Sequence, residues 1–388
     1  MAADEADVIV LGLGGIGSAA AYWLAKRGVR VIGLEQFELG HDRGESQDHS
    51  RIIRLSYHDP HYVRLAQAAY ASWAEVERES GDRLVIPTGG LDLFPAGGAI
   101  AEDAYTSAMD ACGVPYERWA ADETMRRYPQ FRLGEDVETL FQEQSGIAAA
   151  ARANAAHQRL ALGYGADLRE GARVEAIETS GDEATVRAGG RTFRAGRLVI
   201  CAGPWTNDAL AHFGLQLNLD VTREQVIYLE PIVLELFEPE RFPIWIWMDE
   251  PSYYGFPIFG EPAVKVAQDA GGEITTGDTR DFDVDEENRR RVLEFTRRTI
   301  PHAVGRERSI KTCLYTMPPD RDFIVDRVPG QDRVLLCVGA GHAFKFSTQL
   351  GRVLAELALD GETPHDLSCF RADRGILTEP DAPRSWMV

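Results

Sequence analysis

The sequence predicts an α/β fold of two interleaved domains, one built on a βαβ unit with a central parallel sheet, the other α+β with a mixed sheet. Three observations predict it. The first 35 residues run strand, glycine turn, helix, strand. A second apolar strand ending in glycine, LVICAG (198–203), returns the chain to the same sheet. And 388 residues, 44% hydrophobic and 26% charged, exceed what one compact core usually holds.

Element by element, Asp7 to Leu11 (DVIVL) reads as a buried parallel strand. Gly12, Gly14, Gly15 and Gly17 form the turn, and a small-residue helix follows from Ser18 to Arg27, ended by Gly28. Val29 to Leu34 is the second strand and finishes at Glu35. Residues 40–50 are polar and glycine-containing; 51–54 (RIIR) are extended. Asp59-Pro60 starts a helix to about Glu79, with Val63, Tyr70, Trp73 and Val76 on one buried side. Short strands begin near 87–94, residues 99–130 read as helical, and 146–163 read as another helix. A hairpin-like stretch leads to LVICAG. Residues 218–319 hold aromatic strands and a helix near Glu286 to Arg298 with acids first and arginines last, a solvated face. Arg333 to Val338 is a strand, and Thr348 to Leu359 the last helix. The expected division is 1–84, 146–217 and 320–388 for the cofactor domain, with 85–145 and 218–319 for the substrate domain.

Composition narrows the function. A net charge of −20 argues against nucleic acid, which needs a basic face, and against an anionic membrane. No apolar run is long enough to span a bilayer, and the acidic N-terminus (MAADEAD) and the SWMV end carry no targeting pattern; a cytoplasmic enzyme is expected. Five scattered cysteines without a CxxC pair argue against a disulfide framework or a zinc site. Only four basic residues are lysines, Lys26, Lys265, Lys311 and Lys345, against 37 arginines. Lys265 and Lys345 stand in apolar or aromatic company (PAVKVA, HAFKFS), where an ammonium differs most from a guanidinium.

Gly12-x-Gly14-x-x-Gly17 sets backbone amides at a helix N-terminus, where amides and helix dipole hold a pyrophosphate. Glu35, at the end of the second strand, accepts ribose hydroxyls and disfavours an extra phosphate there. This is a Rossmann-like dinucleotide site, which by itself does not separate NAD from FAD.

The remainder of the chain does. LVICAG-Pro204-Trp205 resembles the strand that closes the FAD domain of glutathione-reductase-type flavoproteins. The glycine turn, HSRIIRLSY (49–57), YYGFPIFG (253–260), KTCLYTMPPDRDFIVD (311–326) and GAGHAFKFS (339–347) together resemble the monomeric sarcosine oxidase and N-methyltryptophan oxidase family almost end to end. The resemblance implies FAD bound covalently through the sulfur of Cys313, an attachment that needs a positive neighbourhood, to which Lys311 is expected to contribute. It implies that Arg54 and Lys345 grip a substrate carboxylate, that Arg51 sits near the flavin, and that Lys265 activates oxygen electrostatically. In an extended 51–54 segment, Arg51 and Arg54 would point to opposite faces. Tyr254 and Tyr315 would wall the substrate. Ser46, Val174, Gly203 and Gly341 join Gly12, Gly14, Gly17, Glu35, Arg51 and Lys345 as expected cofactor contacts.

The sequence also departs from the family. Asp269 stands where sarcosine oxidases carry a histidine that meets the substrate, and a carboxylate there favours a cationic or hydrogen-bond-donating amine. Trp245 and Trp247 are bulky where those enzymes are smaller, which predicts a reshaped cavity with Trp245 at the substrate. The loop GESQDHS lacks the family's glycine and histidine order. The implied reaction is oxidation of a secondary amine, an N-substituted amino acid or a cyclic imino acid to an imine, with oxygen reduced to hydrogen peroxide by a monomeric enzyme. The rivals are a flavin dehydrogenase passing electrons to another acceptor, a NAD-dependent dehydrogenase, and a catalytically silent flavoprotein.

Overall fold

A computed structural model describes residues 4–385; the ends of the acidic N-terminal stretch (1–3) and of SWMV (386–388) lie outside it. The apolar strand Asp4–Leu11 pairs in parallel with Val31–Leu34 on one side and with Arg191–Ile200 on the other. Arg191–Ile200 also pairs in parallel with Gln331–Val338. The resulting eight-stranded sheet is completed by Asp167–Arg169, the hairpin Val174–Ser180/Glu183–Ala188 and Ile324–Val328. Its central strands are buried over residues 8–11, 31–34, 198–200 and 334–338, which is why those stretches read as unbroken apolar runs.

The helices Gly15–Lys26, Ala150–Gly163 and Ser347–Leu359 pack together against this sheet. Gly351 permits the tightest approach, since a Cβ there would come within 2.6 Å of the Ala19 backbone. The long helix Pro60–Ser80 begins as expected: Asp59 accepts a hydrogen bond from the His61 amide at 2.7 Å, and Gly81 ends it at φ 74°.

The second large sheet has nine strands, in the order Glu273–Thr275, Asp220–Glu230, Val264–Gln268, Tyr253–Phe256, Ile244–Trp247, Gly90–Pro95, Val137–Gln142, Glu117–Ala120, with Arg306–Met317 on Asp220–Glu230. It is mixed, since Ile244–Trp247 runs parallel to Gly90–Pro95 while its other neighbour is antiparallel. A three-stranded sheet, Arg51–Ile53/Gly146–Ala148/Val85–Pro87, joins the two halves.

Three local expectations change. Residues 99–130 are not continuously helical, because Glu117–Ala120 forms an edge strand between the helices Glu102–Ala111 and Ala121–Arg127. Residues 146–148 are strand rather than helix: Gly146 lies so close to Ile86 that a Cβ would sit 2.1 Å from its carbonyl oxygen. The charged helix Glu286–Thr299, capped by Asp285, is solvated on one side only. Its other side buries Val292, Leu293 and Phe295 against the second sheet. Among the described residues no helix is long and apolar enough to cross a membrane.

Candidate active site

Two adjoining cavities meet between the sheets. Gly12, Gly14, Glu35, Ser46, Val174 and Gly203 line the first. Gly12 adopts φ 81°, and a Cβ there would be 2.4 Å from the Cys201 carbonyl oxygen; one on Gly17 would be 1.9 Å from the oxygen of Gly12. No larger residue fits either position. Gly17 therefore packs the helix onto the turn and lies outside the cavity lining, while Gly12 and Gly14 face the cavity as bare backbone.

Glu35 is 5% exposed; its carboxylate accepts from the Leu13 amide at 2.9 Å and the Phe37 amide at 3.1 Å. Burial works against its charge, but His41 and these amides hold it below the usual carboxylate range. It therefore presents a charged acceptor beside the amide turn. Bare amides at a helix N-terminus with a buried acid at the next strand end fit the adenosine diphosphate part of a dinucleotide.

The second cavity shares Gly15, Ile16, Glu45, Ser46 and Gly339 with the first, so one long ligand can occupy both. It brings together Arg51, Arg54, Tyr254, Asp269, Tyr315 and Lys345, with Gly341 at its edge. Gly341 has φ 76°, and Tyr315 lies against it, 2.7 Å from where a Cβ would be.

Two of the cations at this cavity are paired with acids. Arg54 lies 3.1 Å from Asp92, both side chains almost wholly buried. Arg321 lies 3.0 Å from Asp269. Arg51 donates to the carbonyls of Glu45 and Gln47 at 2.7 and 2.9 Å. Among the described residues Lys345 has no acidic partner within 4.0 Å, although only 9% of it is exposed. Burial, reinforced by repulsion from Arg54 and Arg321, brings its ammonium down to about 7.

Lys265 is 2% exposed and stands on the strand beside Phe256, a cavity-lining residue, with its ammonium 4.2 Å from that ring. It donates to Asp48 at 3.0 Å and to the Ser50 carbonyl at 2.6 Å. Cys313 lies on Arg306–Met317 two residues before Tyr315, on the same face of the strand. Burial pushes its thiol up to about 11, while Arg51 and, less strongly, Lys265 pull it down.

Three expectations are corrected here. Trp245 does not reach the substrate cavity. Along Ile244–Trp247 it is Ile246 that lines the cavity. Trp245 points to the opposite face, 1% exposed, stacked 6.0 Å from Phe295 and lying across Gly255, and Trp247 also meets Phe295. Alternation puts neighbours on opposite faces, and the pairing register chose the face. Arg51 and Arg54 do share a cavity, because the strand stops at Ile53 and alternation does not extend to Arg54. The positive neighbourhood of Cys313 comes from Arg51 and Lys265; Lys311 is turned to Glu261 at 3.0 Å and Asp48 at 3.4 Å.

Sequence reasoning missed Asp48, Glu45, Asp92 and Arg321. Asp92 carried a signal, a lone acid inside the apolar strand GGLDLFP. Glu45 lines both cavities; burial pushes its carboxyl up to about 7, and Thr316 donates to it. The pairing of Asp48 with Lys265 spans 217 residues and has no local signature.

A parallel-sheet nucleotide cradle opening into a cation-lined cavity, with a second sheet beside it, defines a dinucleotide-dependent oxidoreductase. The chain belongs to the FAD dependent oxidoreductase family, which residues 7–357 match. It is 35% identical to a monomeric sarcosine oxidase of Streptomyces avermitilis over 94% of this chain and 96% of that one. It is 28% identical to an N-methyl-L-tryptophan oxidase of Yersinia pestis over 95% and 99% of the two chains. Among solved structures, the open form of NikD, described as an unusual amino acid oxidase essential for nikkomycin biosynthesis, superposes with a TM-score of 0.84. It is 26% identical, with 99% of each chain covered.

Proposed function

We propose that this protein is an FAD-dependent oxidase of a secondary amine bearing a carboxylate, such as an N-substituted or cyclic amino acid, yielding an imine and hydrogen peroxide. One observation carries the reading: Lys345 is a buried cation in the second cavity without an acidic partner. An unpaired buried charge is costly, and a substrate carboxylate relieves that cost. The relatives named for sarcosine and N-methyl-L-tryptophan support the same class, as both compounds are N-methylated amino acids.

When bound, FAD supplies the two-electron acceptor for the hydride leaving carbon and passes both electrons to oxygen. The substrate loses that hydride and its nitrogen proton; oxygen takes up two electrons and two protons. In this reading Lys345, assisted by Arg54, holds the carboxylate and orients the carbon next to nitrogen. Asp269, held on one oxygen by Arg321, receives the amine N–H, and Tyr254 and Tyr315 wall the site. Lys265 favours negative charge developing on oxygen. Cys313 is the attachment residue for a covalent flavin, and Arg51 and Lys265 offset part of the burial that opposes the thiolate the bond requires. The enzyme works as a monomer, its cofactor lobe drawn from 1–84, 146–217 and 320–388 and its substrate lobe from 85–145 and 218–319.

The test compares N-methyl and cyclic amino acids with the same amines lacking the carboxylate. Anaerobic bleaching of the flavin only by the carboxylate-bearing compounds, with peroxide equal to substrate consumed in air, is expected. Equal bleaching by both sets would overturn the assignment, and reduction without peroxide would make the protein a dehydrogenase. Acid precipitation addresses attachment separately: colour should stay in the pellet, and move to the supernatant in Cys313→Ser.

A further inference from the structure

Asp48 lies in the loop GESQDHS with φ 133°, a backbone region that residues with a Cβ rarely occupy. Such conformations cost about 1–3 kcal/mol and persist where the surroundings hold them. Backbone and side chain both hold this one: the Asp48 carbonyl accepts from the Ala151 amide at 3.0 Å, and the carboxylate is held by four groups. That carboxylate is 8% exposed. One oxygen accepts from Lys265 at 3.0 Å and lies 3.8 Å from Arg51. The other accepts from the Tyr228 hydroxyl at 2.6 Å and from Lys311 at 3.4 Å.

Seen from Lys265, the surroundings are unbalanced without Asp48. The polymer offers a carbonyl from Ser50 and the face of Phe256. Arg51, which opens the strand after that loop, repels the ammonium, and the Cys313 thiol on Arg306–Met317 contributes only when ionised. Tyr228 and Lys311 address Asp48 rather than Lys265. Among the described residues, Asp48 is the one acidic partner of Lys265.

We propose that Asp48 is a positioning residue for the oxygen half-reaction, fixing the Lys265 ammonium behind Phe256 and preserving its positive charge at neutral pH. The inference rests on the reading of Lys265 as the oxygen-activating cation. Burial and Arg51 bring Lys265 down to about 8 even with Asp48 opposing them. The charge is thus present below about pH 8 and lost above it. Removing a carboxylate at this distance lowers the midpoint by a further 1–3 units or so.

The chain's four lysines make the charge directly observable. In holoenzyme carrying lysine labelled with carbon-13 at Cε, the four signals can be assigned by single substitutions and titrated. In Asp48→Asn the Lys265 midpoint should fall by at least about one unit. The rate of flavin reoxidation by oxygen, followed by stopped flow after anaerobic reduction, should lose its high-pH limb at correspondingly lower pH. A two-unit fall would slow reoxidation about ten-fold at pH 7. Asp48→Gly, which also relieves the backbone, should behave alike and serves if the asparagine variant folds poorly. An unchanged Lys265 midpoint, or faster reoxidation at pH 7 in the variants, overturns the proposal. Lys265→Met separates the two layers. If it reoxidises as fast as the wild type, the oxygen role of Lys265 falls, and the proposal that Asp48 serves the oxygen half-reaction falls with it. If it is slow while the Asp48 variants keep the wild-type pH profile, only the Asp48 proposal falls.

Discussion

Asp92→Asn isolates the electrostatic design of the substrate cavity. Asp92 and Arg54 are 3.1 Å apart, with side chains 5% and 4% exposed. Burial pushes the Asp92 carboxyl up and Arg54 pulls it down; the guanidinium keeps its proton. Asparagine preserves the shape and one acceptor, so the substitution removes little besides charge. Two unit charges about 4 Å apart attract by about 4 kcal/mol at an effective dielectric near 20, and breaking a buried pair typically costs about 3–5 kcal/mol. Because Asn still accepts a hydrogen bond, the lower half of that range is expected in denaturant unfolding. The same change leaves Arg54 and Lys345 facing the cavity with one fewer counter-charge. A non-reactive carboxylate such as acetate should then bind the variant more tightly than the wild type and restore part of the lost stability. The assay is unfolding with and without the carboxylate, alongside its Kd from flavin absorbance. Wild-type stability together with unchanged carboxylate affinity would refute the reasoning, for Arg54 would then be balanced by something other than Asp92.

Other consequences can be tested at the same cavity and behind it. Because Lys345 titrates near 7 when free and must be protonated to hold an anion, affinity for carboxylate ligands should fall as pH rises through about 7–8. Binding in that window should take up a proton, measurable by calorimetry in buffers of different ionisation enthalpy; affinity independent of pH would exclude Lys345 as the carboxylate partner. Trp245→Ala should cost about 3–5 kcal/mol of stability through a cavity beneath Phe295. The ranking of amine substrates by kcat/KM should stay as in the wild type, and a reordered ranking would place Trp245 back at the substrate.

Much of the architecture was legible because local pattern and tertiary role coincide. DVIVL, the glycine turn and the acid at Glu35 all fall within the first 35 residues, and each carries its own steric or electrostatic reason. The aspartate cap of Pro60–Ser80 and its closing Gly81 are local in the same sense. Errors arose where a short segment fits two states. Gly146–Ala148 precedes a helix and has no strand signal of its own; it becomes strand because Arg51–Ile53 and Val85–Pro87 flank it. The run 99–130 reads as helix until Glu117–Ala120 finds the edge of the second sheet.

For the site, the sequence alone determined which residue types are present and which stand in informative company. It singled out the glycine turn, Glu35, Arg51, Arg54, Tyr254, Asp269, Tyr315 and Lys345, all of which reach one of the two cavities except Gly17, which packs behind its turn, and also Lys265 and Cys313, which line neither. Tertiary structure alone decided which face each strand turns inward and which charges meet. Trp245 and Ile246 are adjacent and both apolar, so only the pairing register could send the indole under Phe295 and the isoleucine to the cavity. Asp48 meets Lys265, Asp92 meets Arg54 and Asp269 meets Arg321 across 217, 38 and 52 residues. Pairing of buried charges depends on distance in space and on exclusion of water, and neither quantity is written along the chain.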